Sequence, residues 1–434
     1  MDTTFTKLID KLKTRHIYLD KETLSRYTTG PVRPYAVIEP ESPQVMSELI
    51  RECFSNKTVT NIWGSGSHQN FGGLIQPYDI TLSTRYLNGI IDYEPDNLTV
   101  TVQSGISLEN IQSRVITDNL FLPINPPNSA TATIGGLLAA NMFGSFIHSY
   151  GTFRDFVLGG SAILADGQQI KFGGKTVKNV AGYDMAKLFT GSMGTIGLLT
   201  ELTFKLSPVP EKILSLHVRA ENHANLEPVV DKIKHTSLPV LSSVLSLEFK
   251  EGAALHPALS IVFQVRANEV KNVELEINKS FAQDVSVIEY DFEFYSKKSK
   301  EYDAFFDVEE SGVLCEWIAP KSQIFGIMSF LQKESEVKNR HIKILSYPAQ
   351  GIIYCKFTAD EKSDLPATAA QLAAWRQNTK FTGGFLNIKR CPDRLKEHFD
   401  VWDMDKDQLK WHKKIKNEFD PIGVFTGGRF VGGL

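Results

Sequence analysis

The run GSGSHQNFGG, from Gly64 to Gly73, follows directly on the apolar, β-branched stretch VTNIW that ends at Trp63. A strand-like segment giving way to small residues and closely spaced glycines is the pattern of a chain leaving a sheet so that backbone N–H groups can approach a phosphate or pyrophosphate. It is not the fingerprint of a doubly wound dinucleotide fold. Gly64, Ser65 and Gly66 are followed by five residues before Gly72, where that fingerprint has two, and no acidic residue stands at the required offset. Alone, the loop reads equally well as a glycine-rich hairpin without a ligand.

Two later segments change that balance. In NPPNSATATIGGLLAANMFGS, Asn125 to Ser145, Pro127 precedes Thr133, Ile134, Gly135 and Gly136 at the start of an alanine-rich helix that carries Asn141. A Gly-Gly pair at a helix start offers N–H donors and the positive end of a dipole, which suits an anionic cofactor. The third segment, Gly173 to Leu206, carries Lys178, Asn179, Gly182, Tyr183 and Asp184, then Gly191, Gly194, Ile196 and Gly197. Glycine at this density beside apolar strands predicts backbone packed against a flat ring.

Around these segments the chain alternates short strands and helices. Ser42 and Pro43 form an N-cap and first turn, with Val45, Leu49, Ile50, Cys53 and Phe54 on one helical face. A second helix is predicted from Ser107 to about Leu120. SPVP at 207–210 breaks the pattern. Beyond it the order β-α-β-β-α-β occurs twice, first from ILSLHVRA to VSVIEYDF and again from VLCEWIA to GGFLNIKR, which predicts an antiparallel sheet with helices on one face. The end of the chain reads as a basic amphipathic helix stopped at Asp420 and Pro421, with a glycine-rich tail returning to the first domain. The expected division is 1–210, in two α+β subdomains split near 105–130, then 211–392, then a returning segment 393–434.

A net charge of -3 supplies no field for nucleic acid. Cys53, Cys315, Cys355 and Cys391 form no C-x-x-C pair, so no zinc or iron–sulfur site is written locally, and they read as buried free thiols. The N-terminus is charged throughout and no run approaches about 18 apolar residues, which predicts a cytoplasmic protein without a membrane span, peripheral at most through partners. Glu309, Glu310, Asp403 and Asp405, and the lysines Lys413, Lys414 and Lys416, read as solvated surface.

In order, the glycine loop, P-P-N-x-A-x-A-T-I-G-G, Tyr150 to Asp155 (Y-G-T-F-R-D), K-N-V-A-G-Y-D and G-S-M-G-T-I-G resemble the FAD domain of the p-cresol methylhydroxylase/vanillyl-alcohol oxidase superfamily. K-N-V-x-G-Y-D and the ending F-D-P-x-G-V-F, with Gly428 and Arg429, bring the resemblance to the glycolate oxidase and D-lactate dehydrogenase branch and its FAD-binding E-type subunit. The match covers roughly 35–210 and about the last twenty residues.

The resemblance implies an α+β fold, a p-cresol methylhydroxylase-type FAD-binding domain with an antiparallel-sheet cap, and non-covalent FAD. It implies cofactor contacts from Gly64, Ser65, Gly66, Ser67, His68, Gly72, Pro127, Thr133, Ile134, Gly135, Gly136, Asn141, Gly194, Ile196 and Gly197. Lys178, Tyr183 and Arg429 are the polar candidates for the chemistry. The implied function is hydride transfer from a small D-2-hydroxy acid to flavin, and electron passage to the flavoprotein and iron–sulfur subunits of a complex. Related catalytic subunits carry H-x-G-D-G-N on a cap strand. This chain has SYPAQGIIYCKF there, with Gln350 and Gly351, and Thr426-Gly427 where relatives have Asn-Pro. A self-sufficient FAD dehydrogenase and a non-catalytic structural subunit therefore remain alternatives.

Overall fold

The computed structural model describes residues 16–174, 183–281, 286–359 and 365–434. The chain forms two units, one of residues 1–143, 152–208 and 404–434, the other of 144–151 and 209–403. They are described separately.

The first unit holds two sheets. One is four-stranded, in the order Ile17–Tyr18, Ala36–Ile38, Ile80–Ser83, Thr60–Trp63, with its last three strands parallel. Parallel strands require a crossover, and the helix Pro43–Asn56 supplies one, between Ala36–Ile38 and Thr60–Trp63. Ser42 caps that helix by accepting from Val45 N at 3.3 Å. Its Met46, Leu49, Ile50 and Cys53 form a core with Ala36, Ile38, Ile80 and Leu82 of the sheet.

The other sheet is five-stranded and antiparallel, in the order Ile90–Glu94, Thr99–Gln103, Leu198–Lys205, Val157–Ile163, Gln169–Gly173. The helix expected after Ser107 runs from Leu108 to Val115 and ends in a 3-10 turn.

In the second unit both β-α-β-β-α-β repeats merge into one eight-stranded antiparallel sheet. The helices Glu227–His235, Val270–Phe281, Ile324–Val337 and Leu365–Phe381 share a single apolar core with it, built on Leu245, Trp317, Leu331 and Trp375. Short helical pieces between Phe292 and Phe306, not expected from the sequence, follow the strand Ser286–Tyr290. Their Tyr295 hydroxyl bonds Ser242 at 2.9 Å.

All four cysteines are buried and free. Asp403, read as surface, is buried: it holds Lys380 at 2.9 Å and accepts from Leu386 N at 3.3 Å, because residues 401–403 fold back along the strand Phe385–Arg390. Among the described residues, no helix is long and apolar enough to cross a membrane.

Candidate cofactor-binding site

The first unit contains a cleft lined by several stretches of chain far apart in sequence. Strand ends create it. Trp63 closes one strand, and the loop Gly64, Ser65, Gly66, Ser67, His68 and Gln69 forms one wall. Thr84 and Ser104 line it just past the ends of two more strands, Ile80–Ser83 and Thr99–Gln103. Thr133, Gly135, Gly136, Ala139 and Ala140 line a second wall, and Ser192, Met193, Gly194, Gly197 and Leu199 a third. Arg429 reaches in from the C-terminal tail.

The loop is held from within. Ser65 Oγ lies 3.1 Å from Ser67 Oγ, which lies 3.0 Å from His68 Nδ1, and the buried His68 ring meets Phe71 edge-on. Gly66 has φ +85°, and a Cβ there would stand 2.6 Å from the Trp63 ring, so the turn needs glycine on both counts.

The second wall departs from its sequence reading. The N–H groups expected to face a ligand are already engaged: Ile134 N donates to Ile106 O and Gly135 N to Ser104 O, each at 2.8 Å, and Gly136 N to Thr133 Oγ1 at 3.3 Å. The reason for glycine here is close approach, since a Cβ on Gly135 would lie 2.8 Å from Ser104 Cβ. Ser104 is itself buried, and its Oγ has no hydrogen-bond partner. A buried hydroxyl without a partner costs free energy, so its place on the cleft wall makes it a candidate polar contact for a bound ligand.

The tail completes the enclosure. Val424–Thr426 covers the outer edge of the strand Thr60–Trp63, the last strand of its sheet, with Thr60 N donating to Val424 O at 2.7 Å and Thr426 N to Thr60 O at 2.8 Å. Arg429 then donates to Gln69 Oε1 at 2.9 Å and to Met193 O at 2.7 Å, joining the first wall to the third. Burial pushes its guanidinium down to about 10, a shift that the nearby Tyr78 hydroxyl opposes.

Of the sequence candidates, the cleft brings together Gly64, Ser65, Gly66, Ser67, His68, Thr133, Gly135, Gly136, Gly194, Gly197 and Arg429. Gly72, Pro127, Ile134, Asn141 and Ile196 are not among its lining residues; Ile134 and Ile196 are core side chains. Tyr183 is 94% exposed, and Lys178 lies outside the described residues. Sequence reasoning passed over Ile62, Gln69, Thr84, Ser104, Ala139, Ala140, Ser192, Met193 and Leu199. Gly105 was the available signal for two of these, because a Cβ there would collide with Thr84 O beside Ser104. Among the described residues no group of three or more His, Cys, Asp or Glu could hold a metal ion.

Residues 34–173 match the model of an FAD-binding domain family. The glycolate oxidase subunit GlcD of Bacillus subtilis is 25% identical over 416 residues, covering 91% of this chain and 88% of that protein. The glycolate oxidase subunit GlcE of Escherichia coli is 37% identical over 174 residues, covering 40% of this chain and only 49% of its own. A solved structure of alkyldihydroxyacetonephosphate synthase, 13% identical, superposes with a TM-score of 0.70 over 97% of this chain and 84% of that one, a likeness of fold.

Proposed function

We propose that this FAD-dependent oxidoreductase, whose first unit carries a p-cresol methylhydroxylase-type FAD-binding domain, oxidises a small D-2-hydroxy acid as the FAD-binding subunit of a glycolate oxidase-like assembly and passes the electrons to an iron–sulfur partner. The observation that carries the reading is the cleft itself, in which three glycine-bearing segments separated in sequence meet around one space.

The residues present fit FAD. The cradle around Gly66 has no room for a side chain, and Ser104 Oγ supplies a buried donor without a partner. The backbone of Gly64 to His68 with the Ser65 and Ser67 hydroxyls would hold the pyrophosphate, with Gly72 allowing the loop to turn at its left-handed φ of +81°. Thr133, Gly135, Gly136 and Ala139 would lie along the flavin, with Pro127, Ile134 and Asn141 shaping that wall. Gly194 and Gly197 would line the opposite side, anchored by Ile196. When bound, FAD accepts a hydride from the carbon bearing the substrate hydroxyl. Arg429 places a buried cation at the site, suited to steadying negative charge that develops there. Lys178 and Tyr183 are the candidates for handling the substrate's proton and carboxylate.

A second reading, a self-sufficient dehydrogenase, is favoured by the likeness to the D-lactate dehydrogenase of Anaerostipes hadrus, 31% identical over 193 residues. Anaerobic addition of glycolate or D-lactate to the FAD-loaded chain separates them. Bleaching of the flavin band by the chain alone supports self-sufficiency, and bleaching only with partner subunits present supports the assembly. No bleaching in either state contradicts the proposed substrate class.

A further inference from the structure

The third wall of the cleft contains a turn in a strained backbone conformation. Ser192 to Thr195 closes through Thr195 N donating to Ser192 O at 3.0 Å. Both central residues lie in the left-handed region, Met193 at φ +54° and Gly194 at φ +75°. That is the pattern of a type I′ turn, which favours Asn, Asp or Gly at its first central position. A methionine there is strained by roughly 1–2 kcal/mol, and such strain persists only where the surroundings over-determine the backbone.

Three hydrogen bonds do so here. Met193 N donates to Ala139 O at 2.9 Å, Met193 O accepts from Arg429, and Thr195 O accepts from Lys416 Nζ at 2.7 Å. The cations on both carbonyls come from the C-terminal tail.

Lys416 is the unexpected one. Its run, K-K-I-K, reads as a solvated helix face, and Lys413 and Lys414 are exposed. The Lys416 side chain instead keeps only 11% exposure. Its three ammonium donors are fully used, on Thr195 O, on Asp420 Oδ2 at 2.6 Å and on Phe425 O at 2.9 Å. Asp420 is buried in turn and accepts from Val424 N and Phe425 N at 2.7 and 2.9 Å, so one ion pair fixes both the tail's sheet-edge segment and the turn. Burial lowers the Lys416 pKa, against the opposing pull of Asp420.

We infer that Lys416 is a positioning residue of the cofactor site: acting through the Thr195 carbonyl, it holds the strained Met193–Gly194 turn in the shape that FAD contacts. The inference rests on FAD occupying this cleft. It makes FAD affinity depend on a lysine that does not line the cleft.

The test measures FAD affinity by flavin fluorescence quenching and the visible circular dichroism of the bound flavin. It uses the wild-type chain, Lys416→Met and Lys416→Arg, with the thermal midpoint of each apoprotein recorded. Loss of a charged hydrogen-bond donor predicts FAD affinity about tenfold or more weaker in Lys416→Met, with an altered flavin dichroism band. Arginine retains donors and restores affinity to within about threefold. The inference is overturned if Lys416→Met binds FAD within twofold of wild type with an unchanged band, however far its thermal midpoint falls, or if Lys416→Arg loses as much as Lys416→Met. Should Lys416→Met fail to fold, Lys416→Gln is judged by the same thresholds. Failure of the wild-type chain itself to bind FAD would remove the cofactor assignment instead, which keeps the two claims separable.

Discussion

Ser104→Ala is predicted to move stability and affinity in opposite directions. Ser104 is 2% exposed and its Oγ is without a partner, while its backbone is fully used: its N donates to Thr200 O at 2.9 Å and its carbonyl accepts from Gly135 N at 2.8 Å. Alanine keeps the backbone bonds and the Cβ against which Gly135 packs, and removes only the hydroxyl. A buried hydroxyl left unsatisfied costs about 1–3 kcal/mol. Its removal should therefore leave the apoprotein as stable as wild type or more stable by up to about 1 kcal/mol, a rise of about 2 °C in the midpoint of the unit. With FAD bound, the same hydroxyl is the donor that the ligand satisfies, so affinity should fall about five- to tenfold, equivalent to about 1–1.4 kcal/mol. Differential scanning fluorimetry with and without FAD, and a fluorescence titration, read both quantities. A destabilised apoprotein combined with unchanged FAD affinity would refute the reasoning, because it would mean that the hydroxyl serves the fold and not the ligand.

Other substitutions test other joints of the structure. Gly66→Ala forces a Cβ into the Trp63 ring at φ +85°, and should cost about 2 kcal/mol or more in urea unfolding as well as most FAD binding. In the second unit, Lys389 pairs with Glu316 at 3.2 Å, both nearly inaccessible, and Tyr354 donates to the same carboxylate oxygen at 3.0 Å. Lys389→Met should destabilise by about 3–5 kcal/mol, and adding Glu316→Leu should recover much of the loss. Burial first, and Lys321 second, push His148 down to about 4 from 6.5. The unfolded chain therefore takes up its proton before the folded one as pH falls. The His148 contribution is intact above pH 6.5 and is lost progressively down to about pH 4, and His148→Gln should flatten that part of a urea-midpoint profile.

What the sequence disclosed and what it withheld divide along a physical line. Features set by a residue and its near neighbours were legible: Ser42 and Pro43 start the helix Pro43–Asn56, and the glycines of the 64–73 loop mark a turn that other residues cannot make. The two β-α-β-β-α-β orders, and the antiparallel sheet that they share, were legible for the same reason. Features set by what lies across a gap were hidden. Nothing near Gly135 says that Ser104 O and Ile106 O, some thirty residues upstream, take the helix-start donors. Nothing in K-K-I-K says that Lys416 turns inward to Thr195, more than two hundred residues away, and Asp403 is buried only because residues 401–403 fold back on a strand. Of the cleft, sequence reasoning reached the glycines and hydroxyls of the recognisable segments, and missed Ser104 and Met193, whose roles depend on tertiary neighbours.

The central claim is that separated glycine segments and the C-terminal tail enclose one FAD. Its most direct measurement is the absorbance spectrum and FAD titration of the purified, folded chain. The account predicts a yellow protein, or a colourless one that takes up a single equivalent of FAD with saturable quenching and releases it intact on acid denaturation. A folded chain that stays colourless and shows no saturable uptake with FAD in large excess would contradict it.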